Sequence, residues 1–281
     1  MGEEVVVIEG ALPGPTSMVL VGVHGNETCG ISALKHILPT LSIDRGRVLF
    51  GYGNLSAIDR NERHTGYDLN RMFREDADLS LEERGSYEYR RSRYLMTYLD
   101  QSSALLDVHA SFTPESVPFV ICEENAESIV HHLPTDIVIS GFDRIQPGGA
   151  DYYMNARGSI GICIECGYMG DERSVRVAED GILGFLGARG HITHVEERRK
   201  QIRLEAYFLY RTESDRFVLD YPFKDFEKII AGQHIGRDGD REIASEENSF
   251  ILFARERNTS GAEGFILCRE QSNHDQIDAK A

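Results

Sequence analysis

Apolar and polar positions follow two different periods along the chain. Residues 5–9, 18–23 and 48–53 are short apolar or β-branched runs, and each reads as a buried strand. Between the last two, Ile31, Leu34, Ile37, Leu38 and Leu41 recur at helical spacing, which predicts a helix over 28–41. A second helix is predicted over 81–100, with Tyr87, Tyr94, Leu95, Tyr98 and Leu99 on or near one face. Strands follow at 104–109, 117–122, 137–140 and 161–167, then a helix at 172–186. This alternation of strand and helix predicts an α/β domain over 1–197.

The pattern changes near 191–199, where residues 196–200 form a polar joint. Beyond it, 202–210, 216–219 and 249–255 alternate or run apolar, and Gly232, Gly236, Gly239, Gly261 and Gly264 punctuate them. A small β-rich domain is expected over 198–281, with a polar end at 270–281 that frays. No internal repeat is visible.

The chain has 281 residues, 41% hydrophobic and 27% charged, which suits a globular protein whose core needs no disulfides. Its five cysteines are scattered and odd in number, so reduced thiols and a cytoplasmic location are expected. No apolar run reaches the length of a membrane span, and the acidic N-terminus lacks the cationic start of a signal peptide. Net charge is −16, without a basic patch, which argues against nucleic acid and anionic membranes as partners. A homo-oligomer is compatible with all of this. The strong preference for Arg over Lys suits forked recognition of carboxylates, although genome composition or a saline habitat explains it at least as well.

Four stretches near strand ends or in loops carry chemistry, where sites of open α/β sheets are built. The first is His24-Gly-Asn-Glu27, the second runs from Arg63 to Arg71 through Asp68-Leu-Asn70, the third is Asp107-Val-His109, and the fourth is Ile164-Glu165-Cys-Gly167. Two imidazoles and a carboxylate, His24, Glu27 and His109, match the ligand set of a catalytic zinc ion that keeps one position for water. Asp107 shares a strand face with His109 and is placed to orient its ring. Glu165 is an ionisable residue inside an apolar run, a candidate general base and acid. Arg63, Asn70 and Arg71 form a local cationic loop in an acidic protein, suited to an anionic substrate and a developing oxyanion.

In order and spacing these motifs resemble the succinylglutamate desuccinylase/aspartoacylase family, a branch of the zinc carboxypeptidase superfamily, over roughly residues 15 to 190. The resemblance implies a mixed twisted sheet flanked by helices, with a smaller C-terminal β domain covering the cleft. It implies one Zn2+ per chain held by His24, Glu27 and His109, with Glu165 as general base and then acid. Arg63 would stabilise the oxyanion, and Asn70 and Arg71 would hold a substrate carboxylate. The implied activity is a zinc-dependent amidohydrolase that cleaves the amide bond of a small anionic N-acyl amino acid. A metallocarboxypeptidase acting on peptides, and an inactive binding protein that kept the pocket, are the alternatives. This chain departs from the family in having Cys166 after the catalytic-type Glu. The further arginine that members use before that Glu has no secure counterpart here, Arg157 being the nearest, and neither Tyr207 nor Tyr210 is assigned to the site.

Other features have plainer readings. Cys163 and Cys166 form a C-x-x-C in a strand, where residues three apart face opposite ways, so the pair is structural. His64 and His131-His132 read as structural or solvent-facing. Glu123-Glu124 and Glu246-Glu247 read as solvated acidic faces, and 147–149 as a turn.

Overall fold

The computed structural model describes residues 5–193 and 200–271. The polar joint at 196–200 and the end at 270–281 fall largely outside them.

Fourteen strands form among the described residues: β1 (Val5–Glu9), β2 (Leu12–Val21), β3 (Arg45–Tyr52), β4 (Ala104–Ser111), β5 (Phe119–Cys122), β6 (Ile137–Ser140), β7 (Ile160–Tyr168), β8 (Ile202–Arg211), β9 (Phe217–Leu219), β10 (Glu227–Ile229), β11 (His234–Asp238), β12 (Arg241–Ala244), β13 (Ser249–Leu252) and β14 (Glu263–Glu270). Eleven of them make one mixed sheet, in the order β1-β3-β2-β4-β7-β5-β6-β8-β14-β13-β10, and β12-β11-β9 make a small second sheet. The central strands β3, β2, β4 and β7 run parallel, so their carboxyl ends share one edge. β6 pairs with β8, which carries the sheet from the N-terminal α/β region into the β-rich C-terminal region.

The central strands are mostly apolar because both faces are covered, with Asp107, His109 and Glu165 as buried polar exceptions. On one face Val19, Val21, Leu106, Val108, Ile162 and Ile164 join a core with the helices Cys29–Ile37 and Arg173–Ala188. On the other, Met18, Leu20 and Leu105 pack with Leu95, Leu99 and Met154 from the helices Tyr87–Leu99 and Ala150–Ala156. Asp107 and His109 share the parity of Leu105, and Glu165 that of Cys163. A one-residue slip of β4 or β7 would turn these polar side chains into the first core and bring Leu106 or Ile164 out of it. Each such displaced aliphatic side chain would forfeit about 1.5–3 kcal/mol of burial, so packing fixes the register that the site needs.

Two helices differ from expectation. The first ends at Ile37 rather than continuing to 41, because Pro39 has no N–H to extend it. The helix expected over 81–100 is broken into Leu81–Arg84 and Tyr87–Leu99. Ser80 and Glu83 cap the first piece reciprocally, and Ser86 Oγ accepts from Tyr89 N at the start of the second. The second piece buries Glu88, Arg91, Ser92, Leu95, Met96 and Leu99, whereas Tyr94 is exposed. The buried polar groups are anchors. Arg91 donates to the carbonyls of Tyr52 and Gly53, and Glu88 Oε1 accepts from Asn54, Thr65 and Gly66. Glu88 thereby pins the loop that begins at Arg63.

All five cysteines are buried and free. Cys163 and Cys166 belong to different cores on opposite faces of β7. Among the described residues no helix is long and apolar enough to cross a membrane.

Candidate metal centre

The chain leaves β2 at Val21 and turns at Gly22, whose φ of +67° suits glycine. Gly25 packs on the helix Leu55–Arg60 so closely that a Cβ there would lie 2.1 Å from the Ala57 carbonyl carbon. This tight passage turns His24 and Glu27 inward, and both are buried. β4 delivers His109 beside them, and β7 brings Glu165 into register with His109.

Three side chains converge. Glu27 Oε1 lies 2.7 Å from His24 Nδ1 and Glu27 Oε2 lies 3.0 Å from His109 Nδ1, while the two Nδ1 atoms are 3.2 Å apart. Each ring also presents its far nitrogen to a carboxylate. His24 Nε2 donates to Asp68 Oδ1 at 3.1 Å, and His109 Nε2 faces Asp107 Oδ2 at 3.1 Å in a contact too bent for a strong hydrogen bond. A carboxylate only accepts, so Asp68 and Asp107 can keep a proton on Nε2 of each ring and free the Nδ1 lone pairs for a cation held against Glu27. Two lone pairs and a carboxylate sharing one small buried space fit a divalent cation, and His24, Glu27 and His109 form a group able to hold a metal ion.

The electrostatics follow from this crowding. Burial opposes the charge of Glu27, but His24 and His109 outweigh it and hold the carboxyl well below its usual range. Burial likewise works against the His109 imidazolium, and Asp107 with Glu27 reverses that and raises it. Glu165 is pushed up to about 8, first by burial and then by Glu27, against the pull of His109 and Arg63. Its Oε2 is buried without a hydrogen-bond partner.

Arg63 is held by carboxylates on two sides, Nη1 at 3.2 Å from Glu27 Oε1 and Nη2 at 3.4 Å from Asp68 Oδ2. Asp68 also caps the short turn Leu69–Arg71 by accepting from Asn70 N at 2.9 Å. Asn70 Oδ1 is buried and unpartnered. Arg71 Nη2 lies 3.1 Å from both carboxylate oxygens of Glu263 on β14, and its Nη1 donates to the Asn70 carbonyl at 2.7 Å.

His24, Glu27, Arg63, Asn70, Arg71, His109 and Glu165, separated widely in sequence, thus line one cleft of about 830 Å³ with its mouth included. Arg157 does not reach it: it is half-exposed, pairs with Asp100 and lies over the Tyr153 ring. Tyr207 bonds Ser249 and Tyr210 bonds Asp238, both away from the cleft. His64 is exposed. Glu123 is not simply solvated, since its Oε1 accepts from Gly141 N at 3.0 Å.

Several lining residues escape sequence reasoning. Asp143 and Asp151 come from the helices Phe142–Ile145 and Ala150–Ala156, neither of which the pattern predicts. Burial and their mutual repulsion push Asp143 up to about 7, and burial with the charge of Asp107 pushes Asp151 up to about 6. Arg255, Arg257 and Glu263 come from the C-terminal β region, where no motif marks them. Asp68 lies in the Asp-Leu-Asn-Arg stretch, and its place beside Asn70 is the one sequence signal for its contact with His24.

Residues 13–186 match the model of the succinylglutamate desuccinylase/aspartoacylase catalytic domain. A curated succinylglutamate desuccinylase from Pseudomonas aeruginosa (strain LESB58) is 38% identical over 64 residues, which cover 21% of this chain and 19% of that protein. One from Pseudomonas putida is 39% identical over 67 residues, covering 22% and 20%. The match thus spans about a fifth of these relatives' length. Solved structures extend the likeness in fold. A succinylglutamate desuccinylase from Vibrio cholerae has a TM-score of 0.78 at 17% identity, covering 95% of this chain and 85% of that one. A succinylglutamate desuccinylase/aspartoacylase from Rhodobacter sphaeroides has a TM-score of 0.74 at 19% identity, covering 96% and 89%. With the family model matching well over half its length, this chain belongs to the succinylglutamate desuccinylase/aspartoacylase family.

Proposed function

We propose that the protein is a zinc-dependent amidohydrolase that removes the acyl group from a small anionic N-acyl amino acid. The observation that carries this reading is the meeting of two imidazole Nδ1 atoms and the Glu27 carboxylate within 3.2 Å of one another, with Glu165 in register on the next strand. His24, Glu27 and His109 would hold the metal, which when bound supplies Lewis-acid activation of water and of the scissile carbonyl.

The protein's own groups do the rest. Glu165 takes a proton from the attacking water as its oxygen bonds to the amide carbonyl carbon. The C–N bond then breaks, and Glu165 returns the proton to the departing amine nitrogen, leaving a carboxylate and an amine. The buried, unpartnered Oε2 supports this role, and a raised affinity for protons suits a group that must hold one between steps. Arg63, beside the metal-holding Glu27, stabilises the negative charge that develops on the carbonyl oxygen. Asp107 and Asp68 hold the two imidazoles in the tautomer that leaves Nδ1 free. Asn70 and Arg71 form the loop side of the cleft that receives a substrate carboxylate. The C-terminal β region adds Arg255, Arg257 and Glu263 to the lining, which favours a small substrate over a long peptide.

Succinylglutamate is the substrate in the names of the curated relatives, and acetylaspartate and acetylated diamino acids complete the candidate panel. Hydrolysis of one of these, lost on chelation and restored by zinc, is the expected result; no hydrolysis by zinc-loaded protein would refute the reading.

A further inference from the structure

Four arginines line the cleft: Arg63, Arg71, Arg255 and Arg257. Three are engaged by protein groups. Arg63 is shared between Glu27 and Asp68. Arg71 presents both Nε and Nη2 to Glu263 and its Nη1 to a carbonyl, so its fork is occupied. Arg257 Nε donates to the Glu263 carbonyl at 2.6 Å. Arg255 differs. Among the described residues no carboxylate pairs with it, and its Nε is buried without a hydrogen-bond partner. Burial, then repulsion from Arg257 and Arg63, lowers it to about 10 against the pull of Glu263 and Asp68. A buried N–H without an acceptor is unfavourable unless a ligand supplies one.

The surroundings hold Arg255 in one place. Its guanidinium carbon lies 4.2 Å from the centre of the Phe112 ring, and a stacked guanidinium keeps its planar edge open for two parallel hydrogen bonds. Asp225 clamps both partners of this stack. It accepts from Ser111 Oγ at 2.9 Å and Ser116 Oγ at 2.7 Å on the Phe112 side, and from Phe253 N at 2.9 Å on the Arg255 side. Ser111 lies two residues beyond His109, so the clamp ties the Arg255 loop directly to the strand that carries a candidate metal ligand. Phe253 keeps a left-handed backbone (φ +55°), which a bulky residue adopts only under constraint.

We propose that Arg255 is the specificity-determining residue of this cleft, and that it binds a carboxylate of the substrate through a forked pair of hydrogen bonds while Phe112 supports it from below. Arg71, tied to Glu263, then acts as a strut that shapes the loop and adds positive field. The inference rests on the proposed deacylase reading and adds to it the side from which the substrate's carboxylate is gripped.

The test uses zinc-loaded wild-type protein, Arg255→Gln and Arg255→Lys. Each is assayed on the best-hydrolysed N-acyl amino acid and on analogues in which each carboxylate in turn is a carboxamide. Wild type is expected to lose on the order of 100-fold in kcat/KM on one analogue, mostly through KM. Arg255→Gln is expected to lose a similar factor on the parent acid and to show no further loss on that analogue. Arg255→Lys should fall between, because it keeps charge but not the fork. Zinc content and melting temperature should match wild type in both variants. If Arg255→Gln still discriminates acid from amide as wild type does, or loses zinc, the proposal is overturned while the deacylase reading stands. If wild type hydrolyses nothing in the panel, both fail together.

Discussion

Arg71 and Glu263, 192 positions apart, meet as a forked ion pair that joins the loop after Asp68 to the first residue of β14. Both side chains are largely buried, so the pair is neither a screened surface contact nor a fully desolvated one. Glu263→Gln is expected to lower stability by about 1–3 kcal/mol, the range for hydrogen bonds to charged groups. A double-mutant cycle with Arg71→Gln in urea unfolding should return a clear coupling energy; simple additivity would mean that the pair is decorative.

Glu165→Gln keeps the side chain's shape and removes its basicity. We expect zinc content to stay at the wild-type level and turnover to fall by roughly 10²–10⁴-fold, the usual worth of a positioned acid–base group. A Gln variant with near-normal kcat would remove Glu165 from the chemistry.

Asp107 touches no candidate ligand except the His109 ring, so its effect should appear in the metal. Asp107→Asn is expected to weaken zinc affinity by about 10–100-fold, measured by competition with a chromophoric chelator. Unchanged affinity would show that His109 is oriented by strand packing alone.

Asp143 provides a pH test away from the metal. Burial and the charge of Asp151 push its carboxyl from the ordinary 3.8 up to about 7, so the folded state holds the proton more tightly than the unfolded one. The stability linked to that proton is fully present below about pH 4, declines as pH rises toward 7, and stays lost above it. Asp143→Asn should therefore raise the melting temperature at pH 8 and bring little change at pH 4, and Asn can still accept the bond from Asn155 Nδ2. A variant less stable than wild type at pH 8 would contradict the sign.

What the sequence revealed divides along physical lines. β2, β4, β6 and β7 were legible because strands covered on both faces carry short, mostly apolar runs. His24, Glu27, His109 and Glu165 were legible because each sits in a short motif at the end or inside such a strand. That His109 and Glu165 lie in register was not, since pairing between strands some fifty residues apart leaves no local trace. The break at Gly85-Ser86 had a signal in the two caps, Ser80 and Ser86. Helices of four to seven residues at 142–145 and 150–156 are too short to show a period. Arg255 and Glu263 reach the cleft only because β8 extends the main sheet and β14 returns along it, so no reading of local pattern could find them.

The central claim is that His24, Glu27 and His109 hold one catalytic zinc ion. Protein stripped with a chelator, then titrated with zinc while hydrolysis of its best N-acyl amino acid is followed, tests it most directly. The account predicts no activity at zero zinc, a linear rise that saturates at one ion per chain, and no rise in His109→Ala at the same zinc concentrations. Activity that survives complete removal of zinc, or that His109→Ala recovers in full with one equivalent, would contradict it.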